Sequence, residues 1–251
     1  MKKINDKKFS NIQYEIQHGR LTISGNRLYL LSLFIYSLVL LGITYRVAYS
    51  IGLNVLQKEW KVILYGEVSL LILQILLILF CRTKRTFNFK VLSVSRVLYT
   101  YKAALDPFIM IAMFTIDDGT FSTYTPFLLL IIFTGIIVHI LFLINGVKKK
   151  EKKLLSKRNT MIWISILFLC IVLTTILSKN VLFQDINMLL MTLAFSIVFI
   201  AMLIGNCEFI IAAYCIFCYP SFAVNPPPQK KLQYVNPKNQ RKKKKRKKNR
   251  R

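Results

Sequence analysis

Six ionisable side chains lie in or at the edges of long apolar runs: Glu67, Arg96, Lys102, Asp106, His139 and Glu208. Hydrocarbon gives an ion no water, so such groups face one another, backbone carbonyls or a wet path, and they are functional candidates by default. Lys102 and Asp106 stand four residues apart, which places both on one helix face, although lysine ahead of acid is the less favourable order against the helix dipole. Pro107 follows directly and removes a backbone hydrogen bond at that level. A broken, charged helix suits a substrate or ion path. A structural ion pair enclosed by other helices is the plainer use of the same residues. Glu67 falls near the outer end of its run and reads as a carboxylate that snorkels or stays solvated. His139 can relay protons or ligate a metal, while a neutral imidazole bonded to a neighbouring backbone is the simpler reading. A contact between His139 and Glu208 is compatible with both. Together the six form a candidate intramembrane polar path.

Cys207, Cys215 and Cys218 fall near one face of a helix, and Cys215-Ile216-Phe217-Cys218 is a C-x-x-C. Such thiolates can bind a soft metal or a redox partner, and the inner ones can be acylated. With no second C-x-x-C and no histidine nearby in sequence, packing as small apolar groups comes first. The chain has no G-x-x-x-x-G-K-[ST] loop, no G-x-S-x-G and no H-E-x-x-H, and it holds only two histidines. An ATPase, a serine hydrolase or a zinc protease would need one of these. The expectation is a protein without enzymatic turnover, cofactor or metal.

The elements that carry these residues follow from composition. Hydrophobic residues make up 55% and mean hydropathy is +0.48, more than a soluble core of this length accommodates. Apolar runs at about 28–45, 62–81, 96–116, 126–145, 160–177 and 188–219 read as six membrane helices within a domain covering 28–220. The third is the weakest and is expected to face other helices. The last is too long to cross upright, and a break is expected at Gly205, Asn206, Cys207 and Glu208. Lys and Arg number 6 before Leu28, 4 in Arg82 to Lys90, 7 in Lys148 to Arg158 and 13 in Ser221 to Arg251, against 3, none and 1 in the outer loops. Positive residues stay inside, so both termini are expected in the cytoplasm. The expected fold is an all-α integral membrane protein of about six transmembrane helices, located in the bacterial cytoplasmic membrane.

In the N-terminal segment, 1–27, Ile12, Tyr14 and Ile16 alternate with polar residues, His18-Gly19-Arg20 offers a turn, and Leu21 and Ile23 alternate again, which predicts a short hairpin. At the other end, 221–251 carries Pro226-Pro227-Pro228 and then Arg241, Lys242, Lys243, Lys244, Lys245, Arg246, Lys247, Lys248, Arg250 and Arg251. Ten positive charges in eleven positions repel one another, so a disordered, extended tail is expected. Anionic lipid headgroups are its first candidate partner and RNA or the ribosome its second. Several spans followed by a Lys/Arg tail are similar to the arrangement in bacterial membrane protein insertases, and that resemblance implies a tail that contacts the ribosome. It covers the architecture and Arg241 to Arg251. The five spans and groove arginine that those insertases share are not placed on this sequence, so no functional residue carries over. The expected function is a transporter-like permease or the membrane subunit of a transport or secretion complex, in contact with other membrane subunits. The alternative is a non-transport scaffold, such as an immunity protein or a docking subunit for ribosome or nucleic acid.

Overall fold

The computed structural model describes residues 10–82, 86–148 and 186–218. The span expected at 160–177 and the basic tail lie outside the described residues. Those described form helices and short turns, with no strand among them: α1 (Ser10–His18), α2 (Ile23–Ile51), α3 (Lys58–Phe80), α4 (Thr86–Asp117), α5 (Phe121–Lys148) and α6 (Ile186–Cys218). Five of them, α2 to α6, are long and apolar enough to cross a membrane. At about 1.5 Å per residue they reach roughly 35 to 50 Å, against a hydrocarbon core of about 30 Å. The described residues are thus all-helical and suited to a membrane, and α2, α4 and α5 extend past their apolar runs at both ends. Thr22 starts α2 ahead of Leu28 by accepting a hydrogen bond from the Gly25 amide at 3.2 Å. Gly52 ends it at φ 94°, a conformation that a side chain would strain.

The least apolar of the five is also the most enclosed. The apolar window of α4 is 61% buried, against 22% to 44% for the others. Phe89, Leu92, Arg96, Tyr99, Ala103, Asp106, Met110 and Met113, all buried, recur along it at alternating steps of three and four. The matching row on α2 is Asn26, Leu30, Leu33, Ser37, Leu40, Thr44 and Val47. This is the spacing of a left-handed helix seam, and one position in three or so on it is polar or charged. A second row on α4, Ala104, Phe108 and Ile111, packs against Phe127, Leu128, Phe199 and Leu203 of α5 and α6. With two rows occupied, little of α4 is left for lipid, and that is what lets it carry charge.

Cross-helix contacts give the directions. Asn26 meets Arg96, Tyr29 meets Thr100 and Ser37 meets Asp106, so α2 and α4 run in parallel. Gln74 bonds the Leu30 carbonyl and Tyr99 bonds the Leu70 carbonyl, so α3 runs against both. Gly135 abuts Phe199, His139 meets Leu203 and Gly146 lies against Ile211, so α5 and α6 are parallel to each other.

Two expectations are corrected. The N-terminal segment is a helix rather than a hairpin: Ile12 and Ile16 are buried while Tyr14, which alternation would place beside them, is 61% exposed. A step of four residues serves a helix face as well as a strand face, and burial against Phe89, Phe209, Ala212 and Ile216 decides for the helix. Likewise α6 is continuous over 33 residues, with no break at Gly205 to Glu208. Its polar groups find partners on other elements, Asn206 on the Val97 carbonyl and Glu208 on Arg20, so the helix has no need to open.

These contacts make α1 a cap over one end of the bundle. Ile16→Ala should loosen it by about 2–5 kcal/mol and speed hydrogen exchange of the α1 amides, while Tyr14→Ala should leave exchange unchanged. Equal effects of the two changes would speak for a hairpin.

Candidate functional site

The centre of the bundle holds three ionisable side chains from two helices. Lys102, close to the midpoint of α4, places Nζ 2.5 Å from Oε2 of Glu67 on α3, and 2.9 and 3.0 Å from the two carboxylate oxygens of Asp106. All three are enclosed, with side chains 8%, 13% and 6% exposed. An ammonium has three hydrogens and here meets three oxygens, so its donor capacity is filled. Ser37 of α2 donates to Oδ2 of Asp106, tying the third helix to the same point. Tyr36 is next to it in α2, and its buried hydroxyl has no partner among the described residues. Pro107 leaves the Ala103 carbonyl without its helical donor one turn away.

The pairing of Lys102 with Asp106 agrees with their spacing, but the reading of Glu67 is corrected. Its carboxylate is not solvated but enclosed, 13% exposed. The start of α3 at Lys58 puts Glu67 nine residues into the helix, and it turns toward Lys102 rather than outward. With two carboxylates on one ammonium, the centre has an unmatched acid in an enclosed site.

Arg96 and Glu208 belong to a second cluster, at the end covered by α1. Arg20 reaches both oxygens of Glu208 at 2.6 and 2.5 Å, and its amide donates to Glu15. Arg96 donates to the Arg20 carbonyl at 3.1 Å and to Oδ1 of Asn26 at 2.6 Å. Its guanidinium carbon lies 4.2 Å from the Tyr29 ring centre and 3.7 Å from that of Phe209. Two aromatic faces thus hold the charge where no carboxylate of the described residues touches it.

His139 forms a third site. Its Nδ1 is 2.7 Å from the Leu203 carbonyl, which can only accept, so Nδ1 carries a hydrogen, and Nε2 lies 2.6 Å from the Tyr101 hydroxyl. The ring is thus bonded to the backbone of a neighbouring helix. The contact between His139 and Glu208 is corrected: Cys207, 3.3 Å from Nδ1, is the residue of that stretch that meets the ring, and Glu208 turns toward α1. The cysteines do not converge either. Cys207 lies beside His139, Cys215 is buried among Ile12, Ile16 and Phe89, and Cys218 is exposed. Among the described residues, no three His, Cys, Asp or Glu side chains are grouped to hold a metal ion.

The proposed path is therefore three separate sites, of which the Glu67, Lys102 and Asp106 triad is the candidate functional one. Sequence reading missed Ser37, Asn26, Gln74 and Arg20. The first three carry a signal, since each is a small or amide residue at a seam position of an otherwise apolar helix. Arg20 carries none, because its partner is 188 residues away.

Removing Lys102 alone should leave two carboxylates facing each other and cost about 3–5 kcal/mol, as for other broken buried pairs. Lys102→Met should then lower the detergent melting temperature and membrane abundance. Adding Glu67→Gln and Asp106→Asn to it should recover most of the loss. No recovery in the triple variant would mean that Lys102 acts through packing instead. Compared with known proteins, the chain matches no family model, no curated protein and no solved structure, so function has to be read from this geometry.

Proposed function

We propose that the chain is a transporter-like permease, or the membrane subunit of a transport or secretion complex, with six membrane crossings and both ends in the cytoplasm of a bacterial cell. The observation that carries the transport reading is the triad. Burying three ionisable groups at mid-membrane is costly, and an apolar seam would bind the same helices together more cheaply. A site where three helices converge on an unmatched acid is the arrangement that ion-coupled movement uses. The count of six draws support from helix direction. Because α5 and α6 are parallel, the chain that leaves α5 at Lys148 has to return to the opposite side before Ile186. The apolar run at 160–177 is long enough to do so. The excess of Lys and Arg at the α1 end supports a cytoplasmic position for that end.

The basic tail favours a second reading, a docking subunit for RNA, the ribosome or anionic lipid, since phosphate neutralisation needs little beyond charge. Both readings are compatible with one polytopic domain.

Uptake of a panel of labelled solutes into proteoliposomes separates them. The transport reading expects flux that Glu67→Gln and Asp106→Asn abolish at unchanged abundance. No flux for any solute, together with RNA that copurifies only when Arg241 to Arg251 are present, would select the docking reading. For topology, cysteines introduced at Asp118 and Asp185 should react with a membrane-impermeant thiol reagent outside intact cells, and one at Lys150 should not. Labelling at Lys150 would reverse the assignment.

A further inference from the structure

We propose that the Glu67, Lys102 and Asp106 triad binds one exchangeable proton, which makes the proton the ion coupled to transport; this last step rests on the transport reading above, and the binding itself does not. One ammonium meets two carboxylates at 2.5 to 3.0 Å, and no other cation contacts the group among the described residues. With both acids ionised, the centre would hold a net negative charge in an enclosed site, where Lys102 is the only cation of the described residues in contact with it. One proton on the carboxylate pair makes it neutral. Two acids that share a site behave in this way generally: the second cannot ionise beside the first, and the proton belongs to the pair.

The groups facing the pair allow this. From α2 come Ser37, whose hydroxyl donates to Asp106, and Tyr36. From α3 comes Glu67 itself, and from α4 comes Lys102. On the far side of α4, His139 meets Tyr101 and not the triad.

A second observation gives the proton a direction. Four buried polar atoms have no hydrogen-bond partner among the described residues: Tyr36 Oη, Gln74 Oε1, Arg96 Nε and Asn206 Oδ1. Tyr36 sits at the level of the triad. Gln74, fully buried, is bonded through its amide nitrogen to Leu30, two turns from Ser37 toward the α1 end. Arg96 is a further turn along, beside Asn26, and Asn206 is beside Val97. These unpaired atoms run from the triad to the α1 end, and none of the four lies between the triad and the opposite end. Unpaired buried polar atoms are where water or a moving proton finds partners. The geometry points to exchange with the α1 side. In that exchange one proton passes between a carboxyl oxygen of the pair and water, and no other bond is made or broken.

The test is infrared spectroscopy of the full-length protein in lipid, reading the carbonyl band of a protonated carboxyl group. At neutral pH the wild type should show this band and lose it as pH rises. Glu67→Gln and Asp106→Asn, both isosteric, should each remove it, because the one remaining carboxylate then balances Lys102. Exchanging choline for sodium or potassium at constant pH should leave the band unchanged. A wild type with no band at neutral pH, or a band that survives both substitutions, would overturn the proposal. So would a band abolished by sodium or potassium, which would assign the site to a metal cation. If the band behaves as expected but no solute of the panel is taken up or dissipates an imposed pH gradient in proteoliposomes, proton binding stands and the transport reading fails.

Discussion

The arrangement of the whole bundle depends on one constraint: Lys102 has to stay paired with opposite charge at the centre of a helix long and apolar enough to cross a membrane. A lysine facing lipid there would have to snorkel or be solvated by a defect in the bilayer. Lys102 does neither, because α3 brings Glu67 to it and α4 supplies Asp106 one turn on. For those groups to meet, α4 must be wrapped. Hence its two packed rows, one against α2 and α3 and one against α5 and α6, and hence its position at the middle of the bundle. The apolar helices follow from the same requirement. They leave leucine and isoleucine to lipid on their outer faces and reserve the seam for polar contacts.

Charge is used differently at the end capped by α1. Arg20 and Glu208 are 61% and 28% exposed, so water screens them and the pair adds little stability by itself. What holds α1 is apolar: Ile12, Ile16 and Leu21 against Phe89, Phe209 and Ile216. The ion pair sets the register of that contact. Arg96, just beneath, is a buried cation kept in place by Asn26, the Arg20 carbonyl and two aromatic rings rather than by an acid. It ties the α1 turn to α2 and α4, so the cap and the seam form one unit.

How much of this is legible in the sequence differs from residue to residue. The helical class is carried by apolar runs that only a membrane accommodates. The enclosure of α4 follows from its weak hydropathy, and the Lys102 and Asp106 pair from a spacing of four. Glu67 cannot be placed in this way, because its partner is on another helix and one sequence carries no information on how two helices are rotated against each other. The same holds for Glu208 and Arg20. Gly205 to Glu208 looks like a helix break when local propensity is taken without partners, and Val97 and Arg20 are the partners that keep α6 intact. The hairpin expected at the N-terminus fails for a narrower reason. Ile12 and Ile16 fit both periods, and Tyr14 is amphipathic enough to suit either face, so only its exposure separates the two.

The proposed role of the triad turns on Glu67, which a purely structural contact would not require. A lysine and an aspartate one turn apart already balance each other, and with Ser37 donating to Asp106 they already join α2 to α4. If structure were the whole purpose, a leucine at position 67 would pack α3 against the seam as Leu64 and Leu71 do, at no electrostatic cost. The acid instead adds a charge that the centre cannot neutralise from its own residues. It does so at a level where α2, α3 and α4 converge, and the unpaired polar atoms of the described residues lie from that level toward the α1 end. An imbalance that a single mobile charge removes is a small free-energy difference between two states of the site. On the transport reading proposed above, that difference is what would couple the site to movement; on the scaffold reading Glu67 would add only cost.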